Sequence, residues 1–515
     1  MVLNARRHKI KIKKMKTTIF RKFALVIATA AITFGAVAQR ATEISSNPFL
    51  DRDYWTAQPS IATIETTQKD GHSITAANAG GFDATTFAIF GNNPVNTIQY
   101  LISQGNDVNK RTHDSRTYIF WAASRGNYEV VKFLVENGAK LDLTDSHGYG
   151  PLSFTAASGQ TDTAIYDYLI ESGADLNKEK DHHGNNALLV AASRAKDLKL
   201  VDYFISKGLD INSTDDSGNG IFHYASQGGN MDILKQLVAR GISTKRNETT
   251  GENAILFASK GRESSQELYT YLESLGVDAN VKSKDNITPL HHLASSSKDL
   301  NIFDYFLGKG VDPNEVDTEG NTALMNAAAR NQLEVITYFA EKTDNIDRAD
   351  KDGRRALTLA IQGNSSEVVS YLISKGANVA LKDKNGNNLA AYLFGSRGNP
   401  IDFDGKVALL KNKGFDFKQP QADNSSVWHL AVSKNNLDLL KKVSAFGADI
   451  NAKDNNGNTP LHYAAMKTEN AGILKYLIGN GADLGATTEF GETAYDLASE
   501  NELLIKNKVD LQFLN

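Results

Sequence analysis

The chain has 515 residues, with 56 Lys and Arg against 60 Asp and Glu, a formal charge of −4 and 41% apolar residues. That is an ordinary globular mix and excludes fibrous and disordered classes. Cysteine is absent, which removes disulfides, thiolate zinc sites, iron–sulfur clusters and cysteine nucleophiles together.

Residues 1–38 hold nine bases (Arg6, Arg7, Lys9, Lys11, Lys13, Lys14, Lys16, Arg21, Lys22) and no acid. An apolar run from Phe23 to Val37 follows the bases and ends in Ala36-Val37-Ala38. A basic segment, a short apolar segment and a small-residue site predict a secretory signal peptide over 1–38. The run is about 15 residues, short of the roughly 20 that span a bilayer. The style of this leader implies an exported protein, secreted or periplasmic and of bacterial type. Without it, 47 bases face 60 acids, a balance of about −13. Such a surface repels phosphate backbones, so nucleic acid is not an expected partner. No later segment reads as a membrane span, because charges interrupt every helical stretch.

A linker over 39–47 leads to residues 48–80, where Phe49, Tyr54 and Trp55 predict an aromatic N-terminal cap. One repeat then governs residues 81–492. Its clearest copy runs Asp454-Asn455-Asn456-Gly457-Asn458-Thr459-Pro460-Leu461-His462-Tyr463-Ala464-Ala465. Taking Thr459 as the marker, equivalents fall at Asp83, Thr117, Gly150, Asn186, Gly220, Asn253, Thr288, Thr322, Arg355, Asn388, Ser426 and Thr493, at intervals of 33 to 38 residues. Thr before Pro caps a helix, and Pro at the first turn loses no needed N–H. The following Ala pair lets first helices approach closely. Apolar residues such as Ile233, Leu234 and Leu237 recur at helical spacing in the second helix. The widest interval contains an inserted loop near 395–401, and residues 493–515 read as a C-terminal capping repeat.

A period near 33 with Thr-Pro-Leu-His-x-Ala resembles the ankyrin repeat, most clearly at Thr288-Pro289-Leu290-His291 and Thr459-Pro460-Leu461-His462. The resemblance implies an all-α solenoid of about 13 helix-turn-helix repeats, with hairpin fingers projecting from the junctions and caps at the ends. It also implies a protein partner, held along a concave surface of fingers and inner helices.

Catalytic signatures are missing: there is no His-Glu-x-x-His, no phosphate loop, no Gly-x-Ser-x-Gly and no EF-hand loop. No enzyme, cofactor or metal is therefore expected. His223, His291, His429 and His462 occupy the Thr-Pro-Leu-His position and are expected to tie backbone groups of the fingers. His113, His147, His182 and His183 fall at three consecutive finger tips. They make a metal or small-ligand binder the first alternative reading. The finger aspartates, Asp145 and Asp454 among them, are expected to fix their turns. Aromatics one residue after the His position, such as Trp121, Phe154 and Tyr463, are expected to pack. The fold leaves other positions free, and there Arg116, Ser124, Arg125, Tyr149 and Arg194 join the tip histidines as candidate partner contacts, because Arg and Tyr dominate interface energetics. The resulting expectation is an exported, non-catalytic protein-binding scaffold. A structural spacer of the cell envelope is the remaining alternative.

Overall fold

The computed structural model describes residues 47–515 except 262 and 397–399. The expected leader, all of the linker but its last residue, and three residues of the inserted loop lie outside the described residues. Regular structure among the described residues is helical, and extended pairing is limited to two isolated bridges, Ala77 with Asp83 and Thr214 with Gly220. Two compact units divide the chain. One holds the residues up to Ala191 together with Leu200–Leu209, and the other holds Ala192–Lys199 with Asp210–Asn515.

In the first unit, Pro48–Leu50, Arg52–Thr56 and Ile61–Lys69 precede helix pairs joined by short turns: Ala84–Phe90 with Val95–Ser103, Tyr118–Arg125 with Tyr128–Glu136, and Pro151–Ala157 with Thr163–Glu171. The second unit repeats the same hairpin from Ile221–Gly228 with Met231–Ala239 to Ala494–Ser499 with Glu502–Lys506. We call the two members of each pair the leading and the trailing helix.

The leading helices begin at the marker residues, and the reason is visible atom by atom. The Thr459 N–H donates to His462 Nδ1 at 3.0 Å, which leaves the ring proton on Nε2 to donate to Ala486 O at 3.0 Å. His291 makes the same pair of bonds with Thr288 and Asn321 O, and His429 with Ser426 and Asn458 O. Each ring thus caps its own helix and fastens it to the next finger. Two residues after the marker, the side chain is core in every repeat up to Thr459, and Leu290, Leu324, Leu357 and Leu461 are at most 4% exposed. Full burial of a side chain of this size contributes about 2 kcal/mol.

Asparagine ties three of the repeats backwards. The amide nitrogen of Asn331 donates to Ala294 O and Ser297 O, that of Asn364 to Ala328 O and Asn331 O, and that of Asn501 to Ala465 O and Thr468 O. These are carbonyls at the ends of leading helices, which lack intrahelical donors. The inserted loop interrupts this series. After it the trailing helix Phe403–Asn412 starts from Asp402, whose φ is 47°, and the Nζ of Lys406, fully buried, donates to Ile361 O at 2.8 Å. Lys406 therefore serves the carbonyl that an asparagine serves elsewhere. Burial pulls its ammonium down to about 8, against the opposing pull of Asp402.

The trailing helices are clasped by a recurring acid, tyrosine and lysine. Tyr203 donates to Asp167 at 2.9 Å while Lys207 pairs with the same carboxylate. Tyr305 and Lys309 meet at Glu273, and Tyr338 donates to Asp304 at 2.6 Å with Lys342 lying 3.6 Å from its ring centre.

Candidate functional site

The candidate contact residues fall on the leading helices and fingers of the first unit, except Arg194, which is exposed but belongs to the second. The finger Thr112–Arg116 is unlike its neighbours. Ser115 stands where the next fingers have Gly148 and Gly184, and both Asp114 (φ 53°) and Ser115 (φ 62°) are left-handed. Side chains other than glycine hold that conformation only under local constraint.

Arg116 supplies the constraint. Its guanidinium bonds Asp145 Oδ2 at 2.7 and 2.8 Å and Asp114 Oδ2 at 3.0 Å, and lies 4.3 Å from the Phe154 ring centre and 5.1 Å from that of Trp121. Its side chain is 10% exposed, so Arg116 braces this face from within and does not project from it. The Trp121 indole N–H donates to Thr112 Oγ1 at 2.8 Å, and Thr112 closes the finger by donating to Arg116 O at 2.6 Å.

The rings form a continuous ladder. Phe82 and Phe90 are 5.8 Å apart, Phe90 and Trp121 5.2 Å, and Trp121 and Phe154 5.5 Å. His113 stacks on Phe82 at 4.6 Å and binds Gly80 O through Nδ1. Arg125 is exposed at the end of its helix, with its guanidinium 4.9 Å from the Phe90 ring centre, while the Ser124 hydroxyl turns back to Trp121 O. Tyr149 is half-buried, and burial together with the Asp181 carboxylate pushes its hydroxyl up to about 12. His182 and His183 are exposed, and their backbone N–H groups bond His147 O and Asp181.

Three candidates converge on Asp114: Arg116 at 3.0 Å, His113 at 3.4 Å and His147 at 4.0 Å. The guanidinium also lies 3.4 Å from His147 Nδ1. Among the described residues, no group of three or more His, Asp or Glu side chains is arranged to hold a metal ion.

Two findings lay beyond the reach of spacing. The aromatic position is also a hydrogen-bonding position: Tyr224, Tyr392 and Tyr463 donate their hydroxyls to the finger carboxylates of Asp215, Asp383 and Asp454, at 2.7 to 2.9 Å. His223 also departs from the other three members of its series, since Gly220 before it has no hydroxyl and its buried Nε2 has no partner among the described residues. Burial lowers His223 to about 4, with Lys260 adding to the fall and Asp215 opposing it. His292, in an aromatic position, also has a buried and unpartnered Nε2, and burial lowers it to about 3.

The profile described as ankyrin repeats, three copies, matches residues 85–180, 188–285, 290–383 and 404–511. The chain belongs to the ankyrin repeat family. Among curated ankyrin-matching relatives, probable palmitoyltransferase AKR2 of Saccharomyces uvarum is 28% identical over 90 residues, covering 16% of this chain and 12% of its own length. Palmitoyltransferase AKR1 of Lachancea kluyveri is 29% identical over 168 residues, or 32% of this chain and 23% of its own. This ankyrin chain thus spans less than a quarter of either relative. The secreted or periplasmic location expected from the first 38 residues is overturned by these relatives, which are yeast palmitoyltransferases and point away from an exported protein of bacterial type. No helix among the described residues is long and apolar enough to cross a membrane.

Proposed function

We propose that this ankyrin chain is a non-catalytic scaffold that holds a protein partner on the finger and leading-helix face of residues 82–154. One observation carries the reading: a ladder of four rings, Phe82, Phe90, Trp121 and Phe154, is topped by the exposed Arg125 and braced from beneath by Arg116. Rigid aromatic and arginine side chains held in advance lose little entropy on binding and supply most of the energy of protein interfaces. Palmitoyl transfer is the activity for which the whole relatives are named, and this chain matches less than a quarter of either. The finger-tip histidines fit a partner contact better than a metal, because Arg116 already satisfies the carboxylate on which they converge.

Capture of partners from an extract of the source cells, by the tagged chain and by an Arg125→Glu, Tyr149→Ala variant, tests the proposal. The variant is expected to lose at least one protein that the parent chain retains. Identical sets of retained proteins would place recognition elsewhere.

A further inference from the structure

We infer that the repeat at residues 489–510 carries a second docking surface, and that the partner it fits is a basic helix with an apolar stripe. This inference stands apart from the face at residues 82–154 and uses none of its residues. The regularity of the repeat makes the comparison quantitative. Two residues after the marker, no earlier repeat of the second unit exposes its side chain by more than 4%, whereas Tyr495 in that position is 36% exposed. Four residues after the cap of the trailing helix, Leu234, Tyr269, Phe303, Ile336, Val369 and Leu474 are all fully buried. The equivalent after Asn501 is Ile505, 57% exposed. A third apolar side chain joins them at the finger tip. Phe490, which precedes Gly491, is 62% exposed where other fingers carry polar residues such as Ser217, Glu319, Asp352 and Asn456.

Here two side-by-side helices each leave open the apolar position that their predecessors bury, which is the geometry that accepts the ridge of another helix. The surrounding charge selects the kind of helix. Residues 489–510 hold six acids (Glu489, Glu492, Asp496, Glu500, Glu502, Asp510) against Lys506 and Lys508, a balance of −4. None of these eight groups is ion-paired among the described residues. Two copies of such a face repel each other, whereas a basic partner is drawn to it and steered.

The test uses the full chain and three synthetic helical peptides of about five turns. One has leucine on one face and lysine on the other, one has serine in place of leucine, and one has glutamate in place of lysine. Binding is followed by fluorescence anisotropy and mapped by hydrogen exchange. The leucine–lysine peptide is expected to bind and to protect residues 489–506. The triple variant Phe490→Ser, Tyr495→Ser, Ile505→Ser, and the milder Phe490→Ser alone, are expected to weaken binding, the triple variant by about tenfold or more, as loss of two or three buried anchors does. All three positions are exposed, so an unchanged melting profile shows that the variants fold. Equal binding of the serine–lysine peptide, or undiminished binding by the triple variant, rejects the surface. A dimer in sedimentation that the triple variant abolishes assigns the surface to a second copy and rejects the basic partner.

Discussion

Arg116 joins Asp114 and Asp145 across two fingers, and the side chain of Asp145 is fully buried. Replacing Arg116 with Leu leaves that carboxylate without its cation, a change expected to cost about 3 kcal/mol. Arg116→Lys keeps the charge but loses the forked geometry and is expected to cost less. Urea unfolding of the two variants checks both, and a loss under about 1 kcal/mol for Arg116→Leu would mean that the brace is incidental. The position of Arg116 was legible in the sequence, but its orientation was not. Its partner Asp145 lies 29 residues away on the next finger, and only the fold shows that the two meet. His223 is the second informative residue. Its folded value near 4 lies below the ordinary 6.5, so the neutral ring stabilises the fold fully above about pH 6.5, and that contribution is lost as the pH falls through 4. The amount at stake is about 3 kcal/mol. Because Nε2 has no partner and the ring meets Phe257 edge-on at 5.1 Å, His223→Phe is expected to be neutral or stabilising at pH 7 and to shift acid unfolding to lower pH. Circular dichroism through an acid titration reads this directly. An unshifted midpoint would falsify the assignment.

Among the elements, the trailing helix Phe403–Asn412 is the one that departs from the pattern. The insertion before it was plain from a 38-residue interval, yet nothing in the spacing showed that Lys406 reaches Ile361 O in place of an asparagine. The reason is physical: periodicity marks Lys406 as polar and therefore exposed, whereas an orphan helix-end carbonyl accepts any donor that can reach it. Since burial lowers Lys406 from 10.5 to about 8, its charged form weakens the fold at pH 7, and the penalty vanishes as the pH rises past 10.5. Lys406→Met is therefore expected to raise the melting temperature at pH 7 and to gain less near pH 10. An equal gain at both values would show that packing alone is responsible. The caps and helix pairs, by contrast, follow from the sequence with little remainder. Thr-Pro-Leu-His fixes the start of the leading helix, and the apolar spacing fixes which face is buried, as Leu290 and Ile302 with Phe303 illustrate.

At the scale of the whole molecule, the two units differ in what acid does to them. The second buries His223, His291, His429 and His462 and half-buries His292, each lowered chiefly by burial. In three of these rings Nδ1 must stay unprotonated to accept a backbone N–H. The histidines of the first unit lie on its surface or are half-buried, and its half-buried Glu179, raised by burial, is relieved when it gains a proton. As the pH falls from about 6.5 to 4, the second unit is expected to lose hydrogen-exchange protection before the first. Simultaneous loss in both would show that other groups govern acid unfolding. The asparagine ties carry a consequence of another kind. Asn331, Asn364 and Asn501 all reach towards carbonyls synthesised earlier and never towards later ones. For these three ties a chain leaving the ribosome finds the accepting carbonyl already made, so each such hairpin can settle by accretion onto a finished edge, whereas the histidine bonds close only when the next finger arrives.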